Sequence, residues 1–314
     1  CIRDSMNLDL KVNIDLGGIF PGKTFLFGDI VLTTLDAFFF SLFAKRTITY
    51  RDIQFKETTG KYLFPSGNIA SSFIVFDEVQ MYQDEYYYTP RVLKRLLEIL
   101  YKSGIPTLVM TATMPKKLEE EIFEHVDVIE VVGKEAERGS VHISLREIDL
   151  LSTIKQEALE VLNKNLIVFN TVSRAIEAYR ILINMGIAKE YDIILLHSRL
   201  KYGTRREREK ILDKSNKLIL VSTQVVESGI DVDFDLVLTE VAPIDALIQR
   251  IGRAARRKGR KGRAIVFKAP DSKPYREEFV KRTWNILEED VESINLALSN
   301  IDQTQSLLDK VYIN

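Results

Sequence analysis

Short, continuous apolar runs recur along the chain, each followed by a polar or helically patterned stretch. They are Ile30-Val31-Leu32, Phe73-Ile74-Val75-Phe76, Leu108-Val109-Met110, Leu166-Ile167-Val168-Phe169, Ile193-Ile194-Leu195-Leu196, Leu218-Ile219-Leu220-Val221, Leu236-Val237-Leu238 and Ala264-Ile265-Val266-Phe267. Runs that do not alternate predict strands buried on both faces, as in parallel sheets covered by helices. Between them, Thr89-Pro90 predicts a helix start, Val92, Leu93, Leu96, Leu97 and Leu100 keep helical spacing, and Gly104 is placed to end the helix. This alternation predicts an α/β fold of doubly wound parallel sheets, with functional loops at the strand C-terminal ends.

Two of these sheets fit the length. The stretch from Gly133 to Ser140 is polar and bracketed by glycines, which predicts domains at 1–134 and 135–270. Beyond Pro270 the pattern becomes amphipathic, with Val280, Trp284, Leu287, Val291, Ile294 and Leu298 three or four apart, so 271–314 is read as a C-terminal helical extension packed on one domain.

Composition narrows the class. With 46% hydrophobic and 28% charged residues among 314, the chain reads as soluble and globular. Its longest apolar run, residues 37–44, is far below the roughly 18 residues of a membrane span. The single cysteine, Cys1, excludes an internal disulfide and any cysteine-built zinc site, which fits a reducing cytoplasm. A net charge of -1 leaves any nucleic-acid affinity to a local patch. The chain opens Cys1-Ile2-Arg3, without an initiator methionine, and is read as part of a longer protein.

Three stretches carry candidate chemistry. Phe73-Ile74-Val75-Phe76-Asp77-Glu78 is an apolar strand ending in two carboxylates, an arrangement suited to magnesium binding by the Asp and proton acceptance by the Glu. Its plainer reading is a strand end entering solvent. Met110-Thr111-Ala112-Thr113 places small hydroxyl residues at the next strand end, as a helix cap or as a relay. Arg250, Arg253 and Arg256 repeat every three residues on what reads as a helix, which would put three guanidiniums on one broad face suited to phosphoryl oxygens. The basic tail Arg257 to Arg263 is read as a solvated turn rather than a set of phosphate contacts.

Together with Ser222-Thr223-Gln224-Val225-Val226-Glu227-Ser228-Gly229-Ile230-Asp231, Pro243-Ile244-Asp245 and Gln249-Arg250-Ile251-Gly252-Arg253, these stretches resemble motifs II, III, V and VI of superfamily 2 helicases. Asp231-Val232-Asp233-Phe234-Asp235 and Leu195-Leu196-His197-Ser198-Arg199-Leu200 bring the wording nearest to the CRISPR-associated effector helicase of type I systems. The resemblance runs from about Thr33 to Arg256. It implies two RecA-like domains, the first only partly represented, that close on ATP and ratchet along single-stranded DNA in antiviral defence.

By the same resemblance, Asp77 binds Mg2+, Glu78 is the base, Gln249 positions water and phosphate, and Arg253 and Arg256 reach the γ-phosphate. Thr111, Thr113, Gly229, Asp231 and Arg250 make the ATP-binding and coupling set, with Asp231 near the ribose. Thr33, Thr34, Phe169, Asn170, Thr171, Thr223 and Gln224 grip the nucleic-acid backbone. The implied partners are the type I CRISPR surveillance complex and a separate or fused HD nuclease. The family more often has His where Gln80 stands, and none of His125, His142 and His197 is followed by Asp, so the nuclease is expected to lie outside this chain. His197 reads as a strand-end residue with a local hydrogen bond.

Gly17-Gly18-Ile19-Phe20-Pro21-Gly22-Lys23-Thr24 spells a phosphate-binding loop. A working loop needs a buried strand before it and a helix opening at Lys-Thr. Val12 to Leu16 alternates, and Ile30 begins a strand too soon for a helix and its return, so the stretch is expected to be a hairpin or loop that spells the motif by coincidence. The chain alone is then expected to hydrolyse ATP poorly. Three rivals stand beside this reading: a superfamily 2 remodeller acting on RNA, a non-catalytic nucleic-acid-binding remnant, and a small kinase or GTPase built on Gly17 to Thr24.

Overall fold

The computed structural model describes residues 10–15, 26–44, 63–79, 88–111, 114, 116–131, 137–156, 160–212, 214–227 and 230–312. Two compact units result, residues 1–112 with 118–129, and residues 113–117 with 130–314.

In the first unit, β1 (Val12–Asp15) pairs with β2 (Ile30–Thr33), followed by α1 (Leu35–Leu42) and α2 (Phe64–Ala70). Then β3 (Ile74–Phe76), α3 (Tyr88–Lys102) and β4 (Thr107–Val109) form a second strand pair with its intervening helix, and α4 (Lys116–Phe123) follows. Of the residues its spacing selected, α3 buries Leu93, Leu96, Leu97 and Leu100 and leaves Val92 partly exposed, and Gly104 beyond it has φ +67°, a conformation glycine adopts without strain. The Phe38 ring of α1 meets Phe76 of β3 edge-on at 5.6 Å.

The β1–β2 pairing corrects one expectation. The two strands run parallel, Val12 opposite Ile30 and Asp15 opposite Thr33. Parallel neighbours need a crossover of about a dozen residues or more, so β1 and β2 are not the two arms of a hairpin, and of the hairpin or loop expected between them the hairpin is excluded. Alternation reports which faces a strand shows, not the direction of its neighbour. Gly17 to Thr24 themselves lie outside the described residues, as do Gln80, Thr113 and Gly229.

The second unit is built on a six-stranded, all-parallel sheet. Its elements are β5 (Ser140–Asp149), α5 (Leu150–Lys155), β6 (Lys164–Val168), α6 (Val172–Asn184), β7 (Asp192–Leu196), α7 (Tyr202–Leu212), β8 (Leu218–Ser222), β9 (Leu236–Glu240), α8 (Ile244–Ile251) and β10 (Lys261–Lys268), in the spatial order β5-β10-β9-β6-β8-β7. Alternate residues feed opposite faces, as the two-residue strand period requires. Leu166, Val168, Leu218, Leu220, Val237, Ala264 and Val266 enter one core with Leu247 and Ile251 of α8. Ile167, Phe169, Ile219, Val221, Leu236, Leu238, Ile265 and Phe267 enter the other, with Leu150 and Ile154 of α5 and Ala175, Ala178 and Leu182 of α6.

The C-terminal stretch makes three helices, α9 (Glu277–Glu289), α10 (Val291–Ala297) and α11 (Ile301–Tyr312), where the periodicity from Val280 to Leu298 predicted one. Asp290 leaves helical geometry and caps α10 by accepting from the Ser293 amide. Trp284, Leu287, Ile294, Leu307, Leu308 and Val311 join the same core as α8. Strand β5 was not predicted: it lies at the sheet edge and alternates polar Ser140, His142 and Ser144 with buried Val141 and Ile143. Among the described residues no helix is long and apolar enough to cross a membrane.

Candidate functional site

In the first unit the candidate carboxylates lie at the end of β3. The Met110 amide donates to the Phe76 carbonyl at 2.8 Å and the Met110 carbonyl accepts from the Val79 amide at 3.2 Å. Asp77 and Glu78 are therefore looped out of the ladder, both exposed, between two anchored residues. The Asp77 carboxylate accepts from the Glu78 amide at 2.9 Å. Glu78 sits at φ +53°, a conformation that costs a residue with a side chain about 1–3 kcal/mol and persists where its surroundings impose it. Thr111, directly after Met110, is exposed. Thr33 and Thr34 have structural duties: the Thr33 hydroxyl donates to the Asp15 carbonyl at 2.7 Å, and the Thr34 hydroxyl caps α1 by accepting from the Ala37 amide at 3.3 Å.

In the second unit the strand ends converge on one buried guanidinium. Arg250 is fully enclosed and donates through every nitrogen: Nε to Glu227 at 2.8 Å, Nη1 to Asn170 Oδ1 at 2.9 Å and to Thr239 and the Glu240 carbonyl at 3.2 Å each, and Nη2 to the Tyr275 hydroxyl at 2.8 Å. Asn170, just beyond β6, donates its amide to Glu240 at 2.7 Å and its side chain to the Val241 carbonyl at 2.8 Å. Gln224 donates to the Asn170 carbonyl at 2.7 Å. Arg174 of α6 reaches Glu240 at 2.6 Å and also pairs with Asp149. Burial pushes Glu227 above the usual carboxylate range against the pull of Arg250, and pushes Glu240 up against the Asn170 amide and Arg174. Burial also raises the Tyr275 phenol to about 12.

The three-arginine helical face does not form. α8 ends at Ile251 with Gly252 as its cap, Ala255 takes φ +47°, and the three arginines point to different surroundings. Arg250 is core. Arg253 is buried, holding the Ile230 carbonyl at 2.7 Å and the Glu227 carbonyl. Arg256 is half exposed and donates to Asp231 at 2.6 Å, while its amide donates to Asp233 at 2.8 Å. Asp231 and Arg256 thus meet on the outside of the unit. Beside them is a cavity of about 180 Å³ lined by Lys164, Asp231, Asp233, Arg257 and Arg260, among others.

The basic tail divides. Residues 257–260 turn, with Gly259 at φ +78°, and Lys261 begins β10. Arg260 pairs with Asp233 and Asp235, Arg263 with Glu160, and Lys258 with Glu137.

Of the nucleic-acid candidates, Phe169 lies in the core, Asn170 in the Arg250 network, and Thr223 is buried, whereas Thr171 and Gln224 are half exposed. Gln249 is half buried on α8. His197 follows β7 and accepts from the Arg199 amide at 3.2 Å. Sequence reasoning missed Glu240, Arg174 and Tyr275. A carboxylate at the end of the apolar β9 was the available sign, because a buried charge needs a partner.

The model of the C-terminal part of the CRISPR-associated nuclease/helicase Cas3 matches residues 162–259. The CRISPR-associated helicase Cas3 of Thermoproteus tenax is 31% identical over 91% of this chain and 49% of its own length. The chain belongs to the Cas3 helicase family. It spans about half the length of that relative. Among solved structures, ATP-bound Cas3 of T. fusca aligns over 98% of this chain and 43% of its own, with TM-score 0.69 and 18% identity. A pre-nicking CRISPR RNA-guided surveillance complex includes a chain that aligns over all of this one and 44% of its own, with TM-score 0.65 and 19% identity. These last two likenesses show the α/β fold.

Proposed function

We propose that this Cas3-family chain belongs to an ATP-driven translocase on single-stranded DNA, acting with a CRISPR surveillance complex in type I interference and with an HD nuclease supplied outside residues 1–314. The observation that carries the reading is the outward meeting of Asp231 and Arg256, backed by Arg253, with the exposed carboxylates of Asp77 and Glu78 in the other unit. A carboxylate beside a guanidinium offers a ribose acceptor and a phosphate donor at one surface.

Among the described residues no group of three or more His, Cys, Asp or Glu could hold a metal. Mg2+ is commonly held by one or two carboxylates and completed by substrate phosphates and water. Asp77 is the residue that would hold it, and the ion when bound neutralises phosphate charge. Glu78, fixed beside Asp77, takes the proton of the attacking water. Arg256 leaves Asp231 for phosphate oxygen. The strained backbone at Glu78 supports this assignment, since strain of that kind clusters at working sites.

Thr171 and Gln224, joined through Asn170 to Arg250 and Glu227, are the residues through which the second unit would meet a strand. Gly17 to Thr24 stays assigned as a coincidental spelling on motif order alone, since the parallel β1–β2 pair removes the argument from space. The 314-residue chain is then a weak ATPase, and Lys23→Ala leaves it unchanged.

The test is nucleotide turnover by the natural full-length protein with single-stranded DNA or RNA added. Glu78→Gln should lower DNA-stimulated kcat by about two to four orders of magnitude while ATP binding by calorimetry persists. Wild-type-like turnover by Glu78→Gln, or equal stimulation by RNA, would sink the reading.

A further inference from the structure

The stretch Glu137-Arg138-Gly139-Ser140 reads in sequence as a boundary linker, yet in the second unit it grips the turn that carries Arg253 and Arg256. Arg138 donates Nη2 to the Gly252 carbonyl at 3.1 Å and the Ala254 carbonyl at 2.9 Å, and Nη1 to the Leu298 carbonyl at 3.2 Å. Gly252 caps α8 and Leu298 caps α10, so one guanidinium sits at the carbonyl ends of two helices, where their dipoles favour a cation. The next residues continue the grip. The Gly139 amide donates to the Ala255 carbonyl at 3.0 Å and the Ser140 amide to the Arg260 carbonyl at 3.1 Å. A side chain at Gly139 has no room, because its Cβ would overlap the Arg260 carbonyl and lie 2.9 Å from that of Ala255.

Ala255, inside the gripped turn, holds φ +47°, which its own side chain disfavours. From the opposite side Arg253 and Arg256 attach the turn to Ile230, Asp231 and Asp233. The turn is therefore clamped between two segments, and residues 138–140 form the half whose hydrogen bonds go to backbone carbonyls, with the Arg138 charge also near that of Arg256.

We propose that Arg138, with Gly139, is a positioning residue for the arginine turn: its fork on Gly252, Ala254 and Leu298 fixes residues 252–256 in the shape that directs Arg256 to Asp231 and to the phosphate of a bound nucleotide. The shape of the turn follows from geometry in this chain alone, and its catalytic consequence rests on the nucleotide reading above. A lysine in place of Arg138 keeps the charge but cannot span three carbonyls with one planar fork.

Two measurements separate the parts. The amides of residues 253–256 are all hydrogen-bonded, to Arg250, Ile251, Phe234 and Asp233 in turn, so hydrogen exchange reports the turn directly. In Arg138→Met and in Gly139→Ala, exchange at 253–256 should quicken by about ten-fold or more while β6 and β8 stay protected. Arg138→Lys should fall between these and the wild type, and serves as the readout if Arg138→Met does not fold. In the natural full-length protein, Arg138→Met should lower kcat for ATP about ten-fold with KM altered less than about three-fold. Unchanged exchange at 253–256, or equal loss of protection in β6 and β8, overturns the proposal whatever the ATPase does. Loosened exchange in a protein whose wild type never hydrolyses ATP supports the clamp and overturns the nucleotide reading instead.

Discussion

Arg250 shows how a residue chosen for chemistry can turn out to be a structural centre. Its Nε donates to Glu227, its Nη1 is shared among Asn170, Thr239 and the Glu240 carbonyl, and its Nη2 donates to Tyr275, so all three nitrogens of the buried guanidinium have partners. Taking that charge out of water is costly, and only the full set of partners offsets it. Arg250→Met would leave Glu227 buried without its cation and the Asn170 oxygen without its donor. A loss of about 3–5 kcal/mol in urea unfolding is expected, the range for breaking one side of a buried pair. Arg250→Lys should lose nearly as much, since one ammonium cannot reach opposite sides of the cavity. Arg256, half exposed and paired with a largely exposed Asp231, should change stability by less than about 1 kcal/mol on substitution by Met. The contrast between the two arginines, read in one series of denaturation curves, tests the assignment of Arg250 to structure and Arg256 to the surface. Spacing of three could not separate them in sequence, because it does not tell where a helix stops. Gly252 between them was the sign of the stop.

The elements that hold this network include the C-terminal helices, which supply Tyr312 and pack in the core beneath α8. Tyr275 lies just before them, in contact with Arg250, and the Tyr312 hydroxyl bonds Asp245 on α8. Burial raises the Tyr275 phenol from 10.0 to about 12, and burial together with Asp245 raises that of Tyr312 as well. An unfolded phenol ionises near 10.0, whereas the folded ones keep their protons to higher pH. The stability they contribute is therefore complete below pH 10 and is lost as pH rises toward 12. Urea midpoints should fall steeply across that window, with tyrosinate absorbance from these two groups appearing only as the fold is lost. Tyr312→Phe and Tyr275→Phe should each flatten the fall. Midpoints that decline as steeply in both variants as in the wild type would place the alkaline sensitivity elsewhere. The helices carrying these tyrosines were legible as an amphipathic pattern, but their break at Asp290 was not, since periodicity continues through the capped junction.

At the scale of the molecule, continuous apolar runs marked β2 to β4 and β6 to β10, and in β6, β8 and β9 they did so because strands buried on both faces have no polar face to show, whereas β2 to β4 each keep an exposed apolar residue. What stayed illegible has the same physical origin: an edge strand such as β5 alternates like a loop, and a pairing direction such as that of β1 and β2 depends on a remote neighbour. The site was legible as a set of motifs but not as surface and core, since Asn170 and Thr223 beyond strand ends and Arg250 on α8 are polar residues turned inward. The two units also differ in how completely their sheets are covered. In the second, β6, β8 and β9 are buried along nearly their whole length, with helices on both faces. In the first, Leu32 is 56% exposed, Val75 48% and Leu108 43%, so the described strands each leave an apolar side chain uncovered. Stability follows buried apolar area, and the described strands of the first unit bury less of it than those of the second. Residues 130–314 expressed alone should therefore unfold cooperatively, with a midpoint near that of the corresponding transition in the whole chain. Residues 1–129 alone should give a broad transition and bind a hydrophobic dye. A sharp transition from 1–129, or a second unit that unfolds only together with the first, would show that stability is shared across the chain rather than concentrated in the six-stranded sheet.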